Sequence, residues 1–150
     1  MHSAKMCTLI LALTLGLSSV GFSQDDTNPK KLIGFACFFS GTPSDIVTKI
    51  TLDLQEQNYK KILRKLKSKN PAKRYLAVII AERLSALGKY QLTATDKVLI
   101  ADAYQSTDLI TMCAGCTYFA PIELGKLLPK EQKHVMQFYA KRWLNELMVS

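Results

Sequence analysis

Apolar residues recur three or four positions apart along most of the chain from Ser44 onward, which is the spacing of a helix with one buried face. The first such stretch follows Ser44, whose side chain is suited to cap the N-terminus of a helix. Its apolar positions are Ile46, Val47, Ile50 and Leu54. The next stretch, "NYKKILRKLKSK", has apolar residues at Tyr59, Ile62, Leu63 and Leu66. The pattern therefore predicts two consecutive amphipathic helices.

A third helix is predicted between Asn70 and Gly88. Asn70 is a favourable N-cap, Pro71 suits the first helical position, and Gly88 is typical of the residue that ends a helix. The apolar residues of this segment cover more than one face, so we expect the helix to be central and mostly buried. They are Tyr75, Leu76, Val78, Ile79, Ile80, Leu84 and Leu87.

A fourth helix is predicted to begin at a cap near Thr93 or Thr95, with Val98, Leu99 and Ala103 facing inward.

The C-terminal part of the chain also favours helices. A short helix is predicted from Ser106, and the last helix is predicted to open at Pro129. The segment from Cys113 to Pro121 is predicted to be a loop, because Gly115 and Pro121 interrupt a helix. The pattern predicts no sheet, because no region reads as an alternating series of strands. The predicted fold class is therefore all-α, with a short extended N-terminal segment.

The helix pair from Tyr59 to Leu87 resembles a HEAT repeat. The resemblance rests on "NPAKRYLAVIIAERL", in which the matching positions are Asn70, Pro71, Arg74, Ala77, Ala81 and Leu84. A weaker second unit runs from Thr93 to Cys116, so the resemblance covers residues 58–116. It implies a small HEAT-like helical hairpin array, with an irregular helical bundle as the alternative. It also implies that Arg74 pairs with an acid of a neighbouring unit, either Asp102 or Asp108.

The N-terminus has the order of a secretory signal peptide: basic residues, a short apolar block from Thr8 to Leu17, then small residues. Cleavage is expected after Ser23, which predicts a secreted or periplasmic protein. The apolar block is shorter than the roughly 20 residues that span a bilayer, so no transmembrane segment is expected after cleavage. The predicted organisation is a signal peptide over 1–23, a leader and apolar segment over 24–43, and a single helical domain over 44–149.

Three cysteines follow the predicted signal, and an exported chain favours a disulfide between two of them. The candidates are Cys37, Cys113 and Cys116. A bond between Cys113 and Cys116 closes a very short loop, whereas a bond from Cys37 to either of them closes a loop of more than seventy residues. Because the entropy that a disulfide removes from the unfolded chain grows with loop length, the long-range bond is favoured. The sequence leaves open which of the two sulfurs is used.

Two alternatives give these cysteines a chemical role. The first is a periplasmic thiol-disulfide oxidoreductase that uses the CxxC pair at 113–116, although the pair follows a predicted helix and lacks a βαβ context. The second is a zinc-stabilised structural domain with Cys37, Cys113, Cys116 and His134 as ligands. No hydrolase or phosphate-loop motif occurs, so no catalytic residue, metal site or cofactor is predicted.

Charge points to the kind of partner. The formal net charge is +8, and the stretch from Asn58 to Arg74 holds basic residues and no acid. Its candidates for binding an anion or a partner are Lys60, Lys61, Arg64, Lys65 and Lys67. These side chains also fill the outer face of an amphipathic helix, which is the alternative explanation. An exported chain does not meet the cell's nucleic acid, so the expected partner is a protein or an anionic surface of the cell envelope. The sequence thus predicts an exported, non-catalytic module for protein binding or scaffolding.

Overall fold

The computed structural model describes residues 31–129 and 134–148. The predicted signal peptide, its cleavage after Ser23 and the first turn of the helix expected after Pro129 lie outside these residues. The described helices are α1 (Asp45–Gln55), α2 (Tyr59–Leu63), α3 (Pro71–Ala86), α4 (Ala94–Tyr104), α5 (Leu124–Leu127) and α6 (Val135–Met148). A 3₁₀ turn, Arg64–Lys67, follows α2. The strands are β1 (Leu32–Ile33), β2 (Leu109–Ala114) and β3 (Thr117–Glu123).

The prediction of an all-α fold is wrong, because the three strands form a mixed sheet in the order β1-β2-β3. β1 runs parallel to β2, with Ile33 opposite Met112, and β2 pairs antiparallel with β3. The short helix expected from Ser106 is strand β2 instead. In that strand Ile110 and Met112 are buried while Leu109 is exposed, which is the alternation of a half-buried strand. The expected loop around Gly115 is the turn of a β-hairpin and its second strand.

The hairpin turn consists of Gly115 and Cys116. Only Gly115 of the two has a positive φ, which matches a type II′ turn with glycine at its first central position. Further along, the pairs Ile110–Ile122 and Met112–Phe119 enclose one residue of β2 and two of β3. β3 therefore carries a bulge that includes Pro121. A bulge on an edge strand is a position where proline, which lacks an N–H group, is tolerated.

The capping signals of α3 and α4 are confirmed. Asn70 accepts hydrogen bonds from the backbone N–H groups of Ala72 and Lys73 at the start of α3. Thr93 caps α4 in a capping box with Asp96. Ser44 occupies the N-cap position of α1, and its hydroxyl accepts a hydrogen bond from Gly34 N–H instead of from the helix.

The core is centred on α3, as its apolar residues on more than one face predicted. Most of its side chains are buried, and they pack against α1, α2, α4 and β2. The predicted inner face of α4 is partly wrong, because Val98 is 60% exposed and Ile100 is buried instead. Within residues 31–129 and 134–148, no helix combines the length and apolar character required to cross a bilayer.

Candidate functional site

A disulfide joins Cys37 to Cys113 and fastens the N-terminal segment to the hairpin. Beside it, Gly115 N–H donates to Ala36 O and Phe38 N–H donates to Gly115 O, both at 2.7 Å. A type II′ turn leaves these two polar groups of Gly115 without partners inside the hairpin, and the N-terminal segment satisfies both. The sheet is thereby extended past β1 to the tip of the hairpin.

Gly34 is required beside the disulfide because nothing larger fits. A Cβ atom at this position would lie 1.9 Å from Cys37 Sγ and 2.7 Å from the carbonyl oxygen of Cys113. Both distances are far below van der Waals contact. Only a glycine therefore lets the backbone of this segment lie so close to the disulfide.

Of the pairings that the sequence left open, the structure has the long-range one, with Cys113 as the partner of Cys37. Cys116 is an exposed free thiol in the hairpin turn. The CxxC cysteines are thus not bonded to each other, and the first of them is 1% exposed. This placement differs from that of a redox pair, in which the attacking thiol is accessible.

The four cysteine and histidine residues weighed as zinc ligands do not form a closed site. The sulfurs of Cys37 and Cys113 are bonded to each other, so neither is a thiolate that binds zinc. His134 Nδ1 accepts a hydrogen bond from Met136 N–H at 3.2 Å at the start of α6, and its ring lies against Phe119. Among the described residues, no group of three or more metal-ligating side chains comes together.

Two of the five predicted basic residues are held by a buried acid. Lys61 Nζ lies 2.6 Å and Lys65 Nζ 2.8 Å from the two carboxylate oxygens of Asp53, whose side chain is 7% exposed. Burial by itself raises the pKa of this carboxyl, but the hydrogen bonds from both lysines outweigh it, so the pKa lies below its usual value. Asp53 therefore anchors the basic segment to α1, and its ion pairs leave Lys61 and Lys65 less available to an anionic partner.

Asp53 was missed by the sequence analysis, although its position carried a signal. It lies seven residues after Ile46 and three after Ile50, on the apolar face of α1. An acid at such a position is stable only when it is paired, and a run of lysines follows within a dozen residues.

The other three predicted residues, Lys60, Arg64 and Lys67, are exposed, and none of them forms an ion pair with a described carboxylate. Lys73 at the start of α3 is likewise exposed and forms no ion pair with a described carboxylate. We call these four residues the basic face.

Arg74, the last residue of the basic run, is engaged. It donates to Ser106 Oγ at 2.9 Å and forms an ion pair with Asp108, which was one of the two acids predicted for it. The pKa of Asp108 is lowered, first by the hydrogen bond from Ser106 and then by that from Arg74. This pair connects α3 to the residues that enter β2.

A groove of about 760 Å³ adjoins the basic face. It is lined by the charged side chains of Lys49, Lys61, Lys65 and Lys73, and also by Leu52, which is exposed on α1. The same lining also holds the acids Asp45, Asp53 and Glu56, so the lysines exceed the acids by one. The cleft therefore combines charges of both signs with an apolar side chain.

Comparisons of this chain with protein-family models, with curated proteins and with solved structures found no match. The resemblance of residues 58–116 to HEAT repeats stays a prediction, and function is argued from the residues themselves.

Proposed function

We propose that this protein is an exported, non-catalytic binding module whose basic face docks onto an acidic segment of a protein partner. The observation that carries the proposal is that some of the basic residues form ion pairs with Asp53, whereas others pair with no described carboxylate. Asp53 fixes Lys61 and Lys65 in place, while Lys60, Arg64, Lys67 and Lys73 form no ion pair with a described carboxylate and are available to a partner. Because the ion pairs with Asp53 hold the backbone of this segment, binding has to order only the side chains of the basic face.

The adjoining groove supports a polypeptide as the partner. Its walls combine Lys49 and Lys73 with the exposed Leu52, and the acids Asp45 and Glu56 lie at the same cleft. Mixed chemistry of this kind suits a peptide that carries acidic residues and an apolar side chain. An anionic lipid surface, in contrast, requires only charge.

Export is supported by the order of residues at the N-terminus and is compatible with the disulfide, which persists in oxidising compartments. The proposed binding function does not depend on which side of the envelope the protein reaches.

The test is binding of a fluorescent peptide of alternating glutamate and leucine, measured by fluorescence anisotropy over a series of salt concentrations. The test variant replaces Lys60, Arg64 and Lys67 with Gln. The matched control makes the same change in charge at three exposed residues elsewhere, Lys97, Lys126 and Arg142. Because three exposed charges contribute about 0.5 kcal/mol each, the test variant should weaken binding about tenfold.

Salt should weaken binding to the wild type more steeply than binding to the test variant. The control should bind like the wild type. Equal losses in both variants would show that only net charge matters and would overturn the proposal. So would binding to phosphatidylglycerol vesicles with none to the peptide. Reproducible turnover in a screen of hydrolase and reductase substrates would contradict the non-catalytic part.

A further inference from the structure

A second groove, of about 410 Å³, lies between the C-terminal half of α3 and helix α6. It shares no residue with the basic face. Its volume falls in the range of small-molecule sites, which run from about 300 to 1,000 Å³. Its apolar lining comes from both helices and the end of α5: Ile79, Ala86, Leu128, Ala140 and Leu144.

One polar group at this groove lacks a partner among the described residues. Arg83 lines the groove, and its Nε is shielded from solvent without an acceptor in the part of the chain that the structure describes. A buried polar group without a partner costs free energy, so native proteins rarely keep one without a reason. Arg83 Nε is a donor, and an acceptor on a ligand would satisfy it.

The remaining polar residues of the groove leave few acceptors free. The Glu82 carboxylate accepts from Tyr104 OH at 2.9 Å, and Asn145 Oδ1 accepts from Arg83 Nη2 at 3.1 Å. Gln137 uses its amide N–H groups on the carbonyl oxygens of Leu127 and Pro129. Lys141 adds a further cation at the rim. The groove is thus an apolar cleft whose lining carries two cations, Arg83 and Lys141, and one carboxylate, Glu82.

We infer that this groove binds an amphipathic monocarboxylate, a carboxylate on a hydrocarbon chain of medium length. The hydrocarbon chain packs against Ile79, Leu128 and Leu144. The carboxylate accepts from Arg83, whose Nε and Nη2 form a two-donor edge that matches two carboxylate oxygens. Arg83 Nη2 donates to Asn145 Oδ1 in the structure, so the ligand's carboxylate would replace this acceptor.

The experiment titrates the full-length protein with decanoate by isothermal titration calorimetry, with 1-decanol as the uncharged control ligand. Decanoate should bind with a Kd below about 1 mM, and decanol at least tenfold more weakly. Arg83→Gln should remove most of this preference for the carboxylate. Arg142→Gln, at an exposed position on α6 outside the groove, should leave binding unchanged.

A second pair of variants tests the location. Ala86 is exposed and lines the groove, so Ala86→Phe should block it; Ser85→Phe makes the same change on the neighbouring exposed residue and should not. Melting temperatures of all four variants show that they fold. No binding of decanoate, binding unaffected by Ala86→Phe, or equal binding of decanol would each overturn the inference. None of these outcomes bears on the binding of acidic peptides to the basic face.

Discussion

The disulfide between Cys37 and Cys113 should be the largest single contributor to the stability of this fold. The perturbation is the double substitution of both residues by Ala, which removes the bond and leaves the pairing of β1 with β2 to hydrogen bonds and packing alone. The expected result is a lower free energy of unfolding, because the unfolded chain regains the freedom that the bond denies it.

The magnitude follows from the loop that the bond closes. The two residues are 76 positions apart. A loop of that length corresponds to about 4.5 kcal/mol at 25 °C in the chain-entropy description, which is a large share of the stability of a small domain. Cys37 and Cys113 are also buried, so the lost sulfur packing adds to the effect.

The assay is urea unfolding followed by circular dichroism at 222 nm, with and without a reducing agent. Reduction should destabilise the wild type by a similar amount and leave the double variant unchanged. Cys116→Ala is the matched control, because that thiol is exposed and unbonded. A loss below about 1 kcal/mol in the double variant would refute the entropic argument. An equal loss in Cys116→Ala would show that the bonded pair has been assigned wrongly.

Three further predictions concern single residues. Gly34→Ala should destabilise the oxidised protein by about 1 to 3 kcal/mol, because the new methyl group overlaps both sulfurs. The same substitution should cost less when Cys37 and Cys113 are Ala. An unchanged urea midpoint in the oxidised protein would contradict this. Asp53→Asn should cost about 1 to 2 kcal/mol at pH 7. Because the pKa of Asp53 is lowered in the folded state, its contribution to stability is present above the unfolded pKa near 3.8 and is lost as the pH falls through the folded value. The difference in stability between wild type and variant, measured by urea unfolding, should therefore shrink in acid. A difference that stays constant in acid would count against the ion pairs. Asn70→Ala should cost about 1 kcal/mol, measured the same way, because the N-terminus of α3 loses its cap; no measurable loss would argue against that cap.

The helical part of the fold could be predicted because its signals are local. Asn70 and Pro71 specify the start of α3, and the capping box at Thr93 specifies the start of α4. The apolar residues on several faces of α3 similarly predicted its central position. Each of these signals lies within a few residues of the feature that it determines.

The sheet could not be predicted by the same means, because its cause is distant in the sequence. β2 alternates over only six residues, and Ser106 before it imitates a helix cap, whereas its side chain bonds Asp108. What makes this segment a strand is β1, some eighty residues earlier, together with the disulfide. The same holds for the basic residues: the charge run predicted a patch, but only the fold shows that Asp53 withdraws two of its members.

The parallel pairing of β1 with β2 also sets the order in which the chain can complete its fold. Cys37 is synthesised long before Cys113, and helices α1 to α4 lie between them. Contacts this far apart in sequence form late, so the helices have to assemble while the thiol of Cys37 waits. The hairpin then offers two thiols three residues apart, those of Cys113 and Cys116. The register that pairs Cys37 with Gly115 selects Cys113 as the disulfide partner. The Cys37–Cys113 bond therefore forms after the sheet. A chain that oxidises earlier would form a bond between Cys113 and Cys116, which would persist until thiol exchange replaces it.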